Sequence, residues 1–199
     1  VITVTFNMII LNLAGNTGVA AYGVVANTSL VAVALFNGIA QGSQPLISRS
    51  YGRGEEQNVR SLLKMSLTTA FGLGVLLVLF IFFSAPAVTA VFNSEHDLQL
   101  AAYADSGLKL YFIGFLFAGI NIVGTAALSA VESVKYAFCA SISRGFVATI
   151  FFAFVLSACF KMTGIWLAFP AAEFATMFIT LSGLLYFTKQ KGGMYHAKN

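Results

Sequence analysis

From Leu62 to Phe83 the chain carries one ionisable residue, Lys64, and comparable apolar runs recur from end to end. A run of about twenty residues, rising ~1.5 Å per residue as a helix, crosses a ~30 Å hydrocarbon core. Within that core no water satisfies backbone N–H and C=O groups, so a continuous apolar run must be helical. A membrane barrel would instead alternate polar and apolar residues at period two, and no such alternation is present. The composition agrees: 58% of residues are hydrophobic and 9% charged, against roughly a quarter charged in a soluble domain. The expected fold class is an all-α membrane protein, a six-helix transmembrane bundle.

The expected spans are 1–14, 19–49, 62–83, 108–131, 136–160 and 165–188, forming a single lobe over 1–199. The first is too short to cross alone and reads as the second part of a truncated helix, not as a signal peptide, since no basic segment precedes it. Gly15 to Gly18 makes the first turn, and polar or proline-bearing stretches at 51–58, 84–99 and 161–164 mark later ones. Arg49, Arg53, Arg60, Lys64, Lys135, Lys189, Lys191 and Lys198 fall on one side of this arrangement, Lys109 and Lys161 on the other. Basic residues favour the cytoplasmic face. That predicts a multi-pass protein of the cell (inner or plasma) membrane with a cytoplasmic C-terminus. The net charge of +4 is thus a topology signal, and no nucleic-acid partner is expected. Cys139 and Cys159 sit on one predicted helix about 30 Å apart, too far to pair.

Asn37, Gln41, Gln44 and Ser48 stand at i, i+4, i+7 and i+11, one narrow face of a helix. Amides facing lipid would go unpaired at a cost of several kcal/mol, so this face must meet protein or water. Two readings fit: interhelical hydrogen bonding, or the lining of a cavity or pathway, favoured because Pro45 and three amides share one stripe. Pro45 and Pro170 are both expected to kink their helices.

Arg144 lies nine residues into the fifth span and Glu173 nine into the sixth from the opposite surface, each ~13 Å deep. In antiparallel neighbours those depths coincide. Charges so placed pair or face water, which predicts an Arg144–Glu173 pair, direct or bridged through Ser141 or Ser143. The pair reads either as a fixed clamp or, through Glu173, as a proton site. Asn121 lies eleven residues before Glu132, ~16 Å deep.

Ala21 to Gly23 (AYG), Asn27, GIAQGSQPLISRSYGRG from Gly38, NIV from Asn121, SRG from Ser143 and GIWLAFP from Gly164 together resemble the second half of the multidrug and toxic compound extrusion (MATE) family. The order and spacing follow that family's last six helices. The resemblance implies a twelve-helix transporter of two six-helix lobes, this chain being the C-terminal one and the N-terminal lobe its partner. It implies export of drug-like amphipathic or cationic small molecules across the lipid bilayer by alternating access, coupled to an H+ or Na+ gradient, with no bound cofactor. With no acid in 1–14, and Asn121 the deepest polar group of its span, the chain is closer to the MepA and DinF-like branch. There the coupling aspartate is expected in the other lobe.

On this reading Asn7, Asn12, Asn37, Gln41, Gln44 and Asn121 supply hydrogen bonds to substrate in a central cavity, and Phe6, Phe36, Phe115 and Phe117 supply adaptable apolar contact. No nucleophile with a base, metal-ligand cluster or glycine-rich phosphate loop is visible, so an enzyme is not expected. Two alternatives remain: a lipid-linked oligosaccharide flippase of the same superfamily, for which Arg144 alone is a poor pyrophosphate ligand, and a non-transporting membrane scaffold.

Overall fold

The computed structural model describes residues 2–196, with side chains over 2–188. Lys189, Lys191 and Lys198 of the basic tail lie outside the described side chains, and Val1 lies outside the described residues. Among the described residues everything regular is helical. Helix α1 (Ile2–Gly52) leaves helical geometry at Gly15, with φ 63° and ψ −158°. A residue without Cβ takes that conformation cheaply, so the turn expected over 15–18 is made by one glycine. Helix α2 (Glu56–Phe92) follows across a tight link in which Gly54 has φ 73°.

Helices α3 (Leu98–Phe112) and α4 (Phe115–Ala130) meet at a 47° bend and act together as one broken span. Helix α5 (Val134–Ile142) passes through a π-helical turn, Ser143–Val147, into α6 (Ala148–His196), which breaks at Lys161 (φ 52°). Among the described residues three helices are long and apolar enough to cross a membrane, and the bent α3–α4 pair, counted as one span, makes a fourth. Divided at Gly15 and Lys161, the chain forms six successive rods.

Two expectations need correction. The outer loop placed over 84–99 shrinks to 93–97, because α2 runs on through Pro86 to Phe92. One proline removes one donor, and the buried Ala85 and Thr89 keep the helix packed on either side of it. Nor do Pro45 and Pro170 mark departures from helical φ/ψ; these fall at Gly15 and Lys161 instead. Pro170 is buried where Gly114, at the α3–α4 bend, admits Phe169 and Pro170 to contact.

Helix α2 packs inside out. Its buried residues include Ser66, Ala70, Gly74, Ala85 and Thr89, while Phe71, Phe80, Phe82 and Phe83 are exposed. Small residues at four-residue spacing let helices approach closely where lipid offers no hydrophobic drive for association. At Gly74 an added Cβ would stand 2.8 Å from the Phe115 carbonyl oxygen of α4.

The aromatics counted above as cavity walls mostly fill this core. Phe6, Phe36 and Phe115 are 1%, 0% and 0% exposed. Phe6 stacks on Tyr22 at 5.4 Å, and Phe36 on Phe115 at 6.0 Å, with a Cβ at Gly119 excluded by the Phe36 ring. Large rings find the space that small residues on facing helices leave, so they pack inward and not toward an opening.

Candidate functional site

The amide face of α1 borders an open cleft of about 350 Å³. Asn37, Gln41 and Gln44 form one wall; Thr125 and Ser129 of α4 face them; Ser141 and Arg144 close a third side. Asn37 and Gln41 are exposed and Gln44 half-buried. The helical spacing that collects the three amides is uninterrupted from Gly15 to Gly52.

Behind the cleft lies a closed polar network. Arg144 Nε donates to Glu173 Oε1 at 2.7 Å, without a bridging serine. Asn121 Nδ2 donates to Glu173 Oε2 and to the Glu173 carbonyl, both at 2.8 Å. Thr180 Oγ1 donates to Asn121 Oδ1 at 3.0 Å, which fixes which way the amide points. Ser143 and Thr176 share a hydroxyl–hydroxyl bond of 3.0 Å. The Glu173 side chain is 2% exposed and that of Arg144 30%, so the pair joins a buried carboxylate to a guanidinium on the cleft wall.

Local backbone geometry serves the same end. The π turn adds a residue to the helix where Arg144 stands, and Thr149 Oγ1 caps the Arg144 carbonyl at 2.7 Å. Such bulges recur at functional sites because they redirect one side chain without ending the helix.

The other expected site residues are placed differently. Asn121 is 0% exposed and turns to Glu173, away from the cleft, because a buried amide and carboxylate satisfy each other. Asn7 is half-buried and Asn12 exposed, both on the first rod of α1 and not on the cleft. Phe117 is half-buried and meets Phe174 edge-on at 5.1 Å. Missing from the expected set were Thr176 and Thr180. Their positions three and seven residues after Glu173 put all three on one helical face, a signal the sequence does contain. Among the described residues no group of three His, Cys, Asp or Glu is placed to hold a metal ion.

The family profile MatE matches residues 1–155. No curated protein matches the chain. Among solved structures, the chain is similar to an outward-facing conformation of a multidrug resistance MATE family transporter of the MOP superfamily, at 16% identity and TM-score 0.87, covering 96% of this chain and 43% of that one. An inward-facing conformation of such a transporter matches at 17% identity and TM-score 0.87, covering 94% and 44%. A MOP superfamily transporter from Pyrococcus furiosus, described as having a binding pocket of reverse polarity, matches at 16% and 0.80, covering 95% and 42%. The chain therefore spans less than half the length of these proteins, and at such identities the likeness is one of fold.

Proposed function

This chain belongs to the MatE family, and from that premise we propose that it is one lobe of a two-lobed secondary transporter that exports amphipathic, often cationic, small molecules by alternating access. The N-terminal lobe of such a transporter would close the open side of the cleft. One observation carries the reading: three amides on a membrane-spanning helix line an opening instead of a dry seam. Uncompensated amides facing hydrocarbon would be too costly to keep without a use.

The rocking part of the mechanism draws support from the two neighbouring conformations. Outward-facing and inward-facing structures match this lobe equally well, each with a TM-score of 0.87. A lobe that serves both states with one internal packing moves as a rigid body. In this scheme the cleft binds substrate through Asn37, Gln41 and Gln44, and Glu173 is the lobe's candidate proton site, joined to the cleft by Arg144. An H+ or Na+ gradient drives the cycle.

Replacing Gln41 and Gln44 by leucine in the full-length protein tests the assignment. Two lost hydrogen bonds at ~1 kcal/mol each weaken substrate binding by about tenfold or more. Cells expressing the double variant should accumulate a fluorescent cationic dye that cells with the parent protein expel. Unchanged efflux at equal expression would instead favour a scaffold. For Glu173, the Glu173→Gln variant should lose the response of efflux to an imposed pH gradient; retention of that response excludes the proton role.

A further inference from the structure

Arg144 is the one charged group on the wall of the cleft bordered by the α1 amides. Its counter-ion stands behind it: the Glu173 side chain is 2% exposed and that of Arg144 30%, so the opening meets the guanidinium and not the carboxylate. Taking this cleft as the substrate site, as proposed above, we infer that Arg144 receives a carboxylate of the substrate. The favoured substrates are then amphipathic zwitterions, with a carboxylate at one end and a cationic group at the other.

Arg144 has unused donors. A guanidinium carries five N–H groups in a fixed fork, and among the described residues the bond its side chain makes runs from Nε to Glu173 Oε1. The second Glu173 oxygen accepts from Asn121 Nδ2 at 2.8 Å, so this carboxylate does not take the two-pronged contact that an arginine offers. Among the described residues the terminal nitrogens, Nη1 and Nη2, have no hydrogen-bond partner. Two parallel N–H groups match the two oxygens of a carboxylate at charge-assisted strength. The guanidinium is also held in place, with Nε anchored on a buried group and the backbone at Arg144 fixed by the π turn and the Thr149 hydroxyl. A fork positioned before the ligand arrives loses less freedom on binding.

The rest of the wall points to the same chemistry. Gln41, Gln44 and Ser141 bring further donors, and no Asp or Glu lines the opening to receive an ammonium. A cation set beside Arg144 would meet a like charge at a depth where water screens little. A phosphate or pyrophosphate would bring more negative charge than one guanidinium, already shared with Glu173, can balance. Glu173, Arg144 and a bound carboxylate sum to a single negative charge, which the cationic group of the substrate itself cancels. That balance selects a zwitterion over a simple anion.

The test is equilibrium binding of two dyes to the full-length protein in lipid nanodiscs at neutral pH, with binding to empty nanodiscs subtracted. Rhodamine B is a zwitterion whose carboxylate is ionised; its ethyl ester keeps the same cationic ring system with the carboxylate capped. The ratio of acid to ester affinity is the readout, and the parent protein should favour the acid. Arg144→Gln combined with Glu173→Gln removes both charges together, so that no buried carboxylate is stranded, and should lower the ratio about tenfold or more. Glu173→Gln alone keeps the guanidinium and should keep the preference. A ratio that the double variant leaves unchanged overturns the proposal, and so does one that falls as far in Glu173→Gln alone. Gln41→Leu with Gln44→Leu should weaken both dyes. If it does while the acid has no advantage in the parent, the cleft still holds substrate and only the carboxylate assignment fails. If it leaves both affinities untouched, the cleft reading itself falls and takes this one with it.

Discussion

Arg144–Glu173 and Lys109–Asp105 are almost equally short ion pairs, 2.7 and 2.8 Å, yet the structure uses them in opposite ways. The first joins residues 29 apart in sequence, and Asn121 takes the second carboxylate oxygen, so three elements are tied through one buried group. The second is an i,i+4 pair within α3, with both side chains about one-third exposed, and it leaves one carboxylate oxygen unpartnered. Distance alone therefore says little about what an ion pair contributes. What counts is how many helices it holds and which lone pairs remain.

The largest expected effect comes from stranding the buried carboxylate. Arg144→Met leaves Glu173 with Asn121 alone, and an uncompensated buried charge costs ~3–5 kcal/mol. Thermal or denaturant unfolding of the reconstituted protein should show a loss of that size, and adding Glu173→Gln to Arg144→Met should recover more than half of it. If the double variant is no better than the single, the pair is not acting as a charge pair and the comparison fails.

Next comes the amide that completes the network. Asn121→Leu removes the donor to Glu173 Oε2 and the acceptor for Thr180, groups that stay buried. A loss of ~1–3 kcal/mol in the same unfolding measurement is expected. Thr176→Val should cost less, ~1 kcal/mol, because its partner Ser143 is only part-buried.

How much of this was readable beforehand differs residue by residue. The all-α lobe follows from run length and from the need to satisfy backbone groups in lipid. The depths of Arg144 and Glu173 follow from counting residues along antiparallel spans. The place of Asn121 does not, because depth fixes a level in the bilayer but not a rotation, and α4 enters at a 47° bend that no residue pattern announces. Rings were harder still. Phe36 and Phe117 look alike in a helix apolar on every side, yet one is sealed against Phe115 and Gly119 and the other half-exposed beside Phe174. Only the small residues on the facing helix decide between them.

The smallest effect sharpens the comparison most. Lys109→Met should change stability by no more than ~1 kcal/mol, the range for partly exposed i,i+4 pairs. Asp105 stays near water through its Oδ2 edge, and the contact Lys109 makes with a second helix is with the exposed Phe82 ring of α2. The methionine keeps much of the aliphatic stem that lies beside Phe82, so packing is largely preserved. A loss of 3 kcal/mol or more, on the scale set by Arg144→Met, would mean that Lys109 holds α2 to α3 through Phe82, making the outer pair a clamp like the inner one. A small loss keeps the inner carboxylate as the group that fastens helices, and the outer pair as a contact within one helix.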